Sequence, residues 1–170
     1  MLLYLGRMGE AEQEMREVVS KNPDQYKALA YFGSMLYYEG KFDEAVGNLE
    51  RAVRLSGKSS DYTAGIMAAF LYASRNQRNK IDQRIFQTRT EQVIDGDQAY
   101  WTGGVYALLG DHQHAMAFLR RGVELGNLCY PWFEKDKTYD GLRRDPEYQG
   151  IMADVKKRWE AYRNEFDIHQ

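Results

Sequence analysis

A near-copy at a spacing of 70 residues constrains this chain more than any other feature. "LYYEGKFDEAVGNLERAV" at 36–53 aligns with "YALLGDHQHAMAFLRRGV" at 106–123, so Gly40 falls on Gly110, Ala45 on Ala115, Leu49 on Leu119, Ala52 on Gly122 and Val53 on Val123. Upstream, Gly33 matches Gly103, and Ala68 sits 35 residues from each, so the unit is about half of 70. An earlier copy, "LGRMGEAEQEMREVVSKNPD", places Gly6, Ala11, Met15, Val18 and Pro23 34 residues ahead of Gly40, Ala45, Leu49, Ala52 and Gly57. Small and apolar residues recur while polar ones vary, which is the mark of helix packing. Gly33, Ala45, Gly103 and Ala115 remove bulk where paired helices approach, and Leu29, Leu36, Leu49 and Leu119 supply the apolar seam. One hairpin cannot bury that seam alone, so neighbouring units must stack.

Residues 26–57 carry the pattern best, with Leu29, Phe32, Gly33, Leu36, Gly40, Phe42, Ala45, Leu49 and Ala52 in place, and Gly57 where a proline is usual. The stretch 96–126 keeps Gly103, Tyr106, Gly110, Ala115 and Leu119. In these residues the chain resembles the tetratricopeptide repeat family, whose unit is a helix–turn–helix of about 34 residues. The resemblance implies an all-α fold, an alpha-alpha superhelix of hairpins over residues 1–126. Its units are 1–24 (truncated), 25–58, 59–95 (degenerate) and 96–126, followed by a linker and capping helix at 127–170. In the third unit "DYTAGIMAAFLYAS" fits a first helix with Ala68 at the crossing, but "RNQRNKIDQRIFQTRTEQV" lacks the small residues of a second.

Beyond residue 127, "GNLCYPWFEKDKTYDGLRRDPEYQG" holds two turn-prone stretches. Asp145-Pro146 then reads as an N-cap with proline at the first helical position. The helix that follows has one apolar stripe, Tyr148, Ile151, Met152, Val155, Trp159, Tyr162 and Phe166, expected to cap the last repeat. The "PWF…D…LRRDPEY" segment also resembles the ends of repeat regions in bacterial signalling proteins such as serine/threonine kinases, nucleotide cyclases and winged-helix regulators. At the other end, "MLLYL" reads as the last turn of a helix begun upstream, so the chain is read as an excerpt of a longer protein. Its exposed edge suits self-association as a homodimer through the ends of the array.

Composition excludes several classes. The 23 basic and 25 acidic residues leave a formal charge of −2, which is not the field of a nucleic-acid binder. No apolar run is long enough for a spanning helix, no signal-peptide pattern opens the chain, and a cytoplasmic setting is expected unless a larger membrane-anchored protein carries it outside. A lone Cys129 forbids an internal disulfide or a cysteine metal cluster. "GDHQHAM" looks like a metal site, but His112 and His114 take the places of Phe42 and Glu44. Two residues apart on a helix, their side chains diverge by roughly 200°. No metal, no cofactor and no catalytic residues are expected, because nucleophile elbow, phosphate loop and H-E-x-x-H are all missing.

The resemblance assigns the first helix of each hairpin to a concave groove. Its candidate residues are Lys27, Tyr31, Ser34, Tyr37 and Tyr38, then Tyr62, Ile66, Ala69 and Tyr72, then Tyr100, Trp101 and Gly104. Rings that combine area with a polar tip suit an apolar helix or extended peptide. The expected function is therefore a non-catalytic scaffold with a protein or peptide partner, no nucleic acid and no membrane. One alternative is a regulatory or sensory segment of a larger signalling enzyme or transcription regulator. Another is nucleic-acid or acidic-partner binding through Arg75, Arg78, Lys80, Arg84 and Arg89, where Phe86 is the one aromatic; a solvated outer helix is the plainer reading of that stretch.

Overall fold

The computed structural model describes residues 7–57 and 63–166, which form helices and, among the described residues, no β-strand. Residues 1–5, with the proposed association edge, and Tyr62 lie outside the described residues. The chain divides into two compact units, Met1–Thr88 and Arg89–Gln170.

In the first unit, α1 (Met8–Lys21), α2 (Tyr26–Tyr38), α3 (Phe42–Ser56) and α4 (Thr63–Ser74) precede a 3-10 helix at Arg78–Lys80 and the short α5 (Gln83–Gln87). The second unit begins with a 3-10 helix at Thr90–Gln92, then α6 (Gly96–Leu108) and α7 (His112–Glu124). It continues through α8 (Tyr130–Lys135), a 3-10 helix at Lys137–Leu142 and α9 (Pro146–Glu165).

The 70-residue spacing of the sequence reappears in the helices. Both ends of α2 and α6 are offset by 70, and so are the first residues of α3 and α7. The turns match bond for bond. Gly40 and Gly110 have φ of 77° and 75°. Lys41 N–H donates to Leu36 O at 2.9 Å, as Asp111 N–H does to Tyr106 O at 2.9 Å. This closing bond with a left-handed residue ends a helix where a side chain other than glycine would be strained. α4 ends the same way with Asn76, at φ 55°, in the glycine's role.

Within each hairpin the small residues sit at the crossings. A Cβ on Gly33 would lie 2.6 Å from Leu49 Cγ, and Ala45, Leu49 and Ala52 of α3 are fully buried beneath α2. A Cβ on Gly103 would lie 3.0 Å from Ala115 O, and Gly122 and Ala115 are buried on the facing side of α7.

Residues 77–95 form two 3-10 turns and the short α5 in place of one continuous second helix. Ile81 and Ile85, one helical turn apart, are the buried apolar anchors of residues 77–88, and Asp82 caps the single turn they support by accepting from Arg84 N–H at 2.9 Å. α4 is buried almost all round, because α2, α3 and the 3-10 helix at Arg78–Lys80 all touch it.

The turn-prone stretch after 127 is more ordered than expected, forming α8 and the 3-10 helix at Lys137–Leu142. Residues 137–142 pack on α6 as α4 packs on α2, in about the place that α4 would take after a shift of 70. α9 then packs against α7 and α8, with Tyr148 and Val155 buried, Trp159 half-buried, and Tyr162 and Phe166 49% and 65% exposed. The C-terminal segment and the last hairpin share one core, and the compact units divide at 88/89. No helix among the described residues is long and apolar enough to cross a membrane.

Candidate functional site

The expected groove residues fall into three environments. On α2, Lys27 is exposed, Tyr31 is 42% exposed, and Tyr37 and Tyr38 are half-buried. Lys27, Tyr31 and Tyr38 share a face at helical spacing. The side chain of Gln25 caps this helix by accepting from Ala28 N–H, which places Lys27 and Tyr31 in its first two turns. The rings at the far end of α2 are gathered by contacts that the sequence did not announce. Tyr37 meets Tyr38 at 5.4 Å and Phe42 at 5.8 Å edge-on, and stacks with Phe70 of α4 at 6.1 Å.

Five expected groove residues are buried instead. Ser34 is buried, and its hydroxyl donates to Tyr31 O at 2.9 Å. Ile66 is buried with its neighbour Ala69, because α4 is the central helix of its unit. Tyr100 is 2% exposed, with its ring stacked on Phe133 at 4.1 Å and its hydroxyl donating to Asp136 Oδ2 at 2.8 Å. Its part of α6 is covered by the chain's own C-terminal segment. Gly104 is buried as well, while Trp101 on α6 and Tyr72 on α4 stay half-buried. Burial, the charge of Glu50 and a hydrogen bond to Glu50 hold the Tyr72 phenol above its ordinary value.

Asp136 is a functional-looking group that sequence reasoning missed. It is 2% exposed, and besides Tyr100 it accepts from Thr138 N–H at 2.9 Å. Arg143 bonds the main-chain oxygen of Asp136 at 3.1 Å and pairs its own Nε with Asp140 at 2.6 Å. Desolvation outweighs these bonds and raises the Asp136 carboxyl above its ordinary 3.8. Tyr139 completes the cluster, donating its hydroxyl to Tyr100 O at 2.6 Å. The one sequence signal was Asp-x-Thr inside "EKDKT", an Asx-turn pattern that says nothing of burial.

The raised carboxyl has a testable consequence. An acid that holds its proton more tightly when folded loses stability as pH climbs from its unfolded value, here 3.8, through its higher folded value. The unfolding free energy of the parent is expected to fall across that window relative to Asp136→Asn, which carries no titrating group there. Urea unfolding at a series of pH values checks it, and parallel curves for the two proteins would refute the assignment.

The two central histidines are accounted for by the repeat. Like Phe42 on α3, His112 opens α7, and it is exposed; His114 Nδ1 lies 2.9 Å from the Asp111 cap, with its ring stacked on Tyr106 at 4.9 Å. Among the described residues no group of histidine, cysteine and carboxylate side chains could hold a metal. Cys129 is half-buried, and burial pushes its thiol up, away from the thiolate that a nucleophile needs.

The basic stretch is not the solvated outer helix expected of it, since 75–89 runs through a turn, a 3-10 helix and α5. Arg84 pairs with Asp82 at 2.6 Å and Arg89 with Glu91 at 3.4 Å. Comparison with known proteins returned no match, whether of a family model, a curated protein or a solved structure.

Proposed function

We propose that the chain is a non-catalytic protein-interaction module of the tetratricopeptide type. In this reading its helix pairs form a superhelical array with a C-terminal cap, and it binds an apolar helix or extended peptide on the aromatic face of α2. The observation that supports it is the contrast across α2. One side, Leu29, Phe32, Gly33 and Leu36, is fully packed, while the other leaves Lys27 and Tyr31 exposed in the first two turns and Tyr37 and Tyr38 half-exposed at the far end, with Ser34 buried between them. Rings with two rotatable bonds and a polar tip bury large area at low entropy cost, and such residues dominate binding energy. With Ser34, Ile66 and Tyr100 packed inside, the binding residues are Lys27, Tyr31, Tyr37 and Tyr38, joined by Tyr72 of the same unit; Trp101 is the half-exposed ring that the second unit contributes by itself.

Tyr31→Ala is expected to weaken a bound apolar peptide by about tenfold or more, the usual effect of truncating a central aromatic anchor. The change keeps the helix, because alanine is the better helix former. Calorimetric titration of a panel of amphipathic helical and extended peptides checks this. If no peptide in the panel binds with an affinity that depends on Tyr31, the proposal is abandoned.

A further inference from the structure

We infer that the basic edge of the N-terminal unit, formed by Arg75, Arg78 and Lys80, docks an acidic segment of a partner protein. The inference rests on reading the chain as a protein-binding module, but it uses residues separate from Tyr31. All three cations are exposed, and they span only the exit of α4 and the 3-10 helix Arg78–Lys80.

Each charge is held over a ring of its own unit. The Arg75 guanidinium lies 5.9 Å from the Phe42 centroid, that of Arg78 4.4 Å from Phe86, and the Lys80 ammonium 5.5 Å from Tyr72. These distances are within the reach of cation–π attraction. A long basic side chain ordinarily loses rotamer freedom when it binds, and a ring contact has already restricted these three. Their charges remain unspent. Among the described residues no carboxylate lies within ion-pairing distance of any of them, whereas the next cations along the chain, Arg84 and Arg89, are matched by Asp82 and Glu91. Glu50, a carboxylate at this edge, bonds the Tyr72 hydroxyl, and Arg54 adds a positive charge beside that phenol.

The same geometry chooses between acidic partners. Single-stranded nucleic acid binds basic grooves through open aromatic faces on which bases stack. Here Phe42, Phe86 and Tyr72 each give a face to a cation instead. Carboxylates need no such platform, because they pair directly with guanidinium in a forked geometry.

The test is fluorescence anisotropy on the whole chain, with a labelled peptide of glutamates separated by glycine and serine, and an oligouridylate of equal charge. The glutamate peptide is expected to bind at low salt and to weaken as ionic strength rises. Combined Arg75→Gln, Arg78→Gln and Lys80→Gln substitution is expected to cost about tenfold or more in its affinity, in the range of charged contacts at an interface. Tyr31→Ala is expected to leave that affinity unchanged while impairing apolar peptides, so failure of one reading is separable from failure of the other. The inference is overturned by any of three results. These are no peptide binding at low salt, undiminished binding by a triple variant whose helical circular dichroism matches the parent, or oligouridylate binding as tightly as the peptide.

Discussion

Replacing Phe133 by alanine is expected to destabilise the C-terminal unit by about 3–5 kcal/mol, the range for removing a buried aromatic ring. Phe133 belongs to α8, outside the 70-residue near-copy of the sequence, yet it is fully buried and stacks on Tyr100 at 4.1 Å with an interplanar angle of 12°. Its loss opens a cavity against Tyr100, whose hydroxyl donates to Asp136 and whose main-chain oxygen accepts from Tyr139. Residues 129–142 on this view complete the core of α6 instead of decorating it. Hydrogen exchange of α6 amides, with urea unfolding followed by circular dichroism, checks this. Protection in α6 should fall with the stability of the unit, and Phe133→Leu should recover part of it. A loss below about 1 kcal/mol, the typical cost of an average substitution, would show that the segment is peripheral.

The second large effect is expected at a helix crossing. Gly103→Val should cost roughly 3 kcal/mol or more, the upper end of overpacking penalties. A Cβ at Gly103 meets Tyr139 Oη at 2.6 Å, Ala115 O at 3.0 Å and Leu119 N at 3.2 Å. Two of those atoms are backbone, so the neighbours cannot yield without separating α6 from α7. Gly47 provides the opposite sign. It lies inside α3 with nothing within 4 Å of the place a Cβ would take, so Gly47→Ala should stabilise by up to about 1 kcal/mol through helix propensity alone. Thermal unfolding of the two variants in parallel decides the matter. If both shift the same way, the crossing at Gly103 is not the constraint described.

The sequence was most informative where structure depends on near neighbours. The offset of 70 residues placed both ends of α6 from those of α2, and Gly40 and Gly110 placed the turns. Asp145-Pro146 marked the start of α9, where Asp145 accepts from Glu147 N–H at 2.8 Å. The site was only partly legible. Lys27, Tyr31, Tyr37 and Tyr38 keep exposed or half-exposed positions, but helical register alone cannot say that Tyr100, on the equivalent helix, is covered by Phe133 and Asp136. Nor could it gather Tyr37 with Phe70, which lie on different helices.

The sequence by itself determined the helical class, the glycine turns at residues 40 and 110, the small residues at crossings and the Asp145 cap, because each follows from bonds and side-chain spacing within a few residues. Tertiary structure alone decided which aromatic faces remain open, why residues 77–95 form short turns around Ile81 and Ile85 in place of one continuous helix, and where the chain divides. Those outcomes depend on burial, and burial is set by segments distant in the chain, as Asp136 is from Tyr100 at a separation of 36 residues. Periodicity marks a face as apolar or aromatic; only packing decides what comes to cover it.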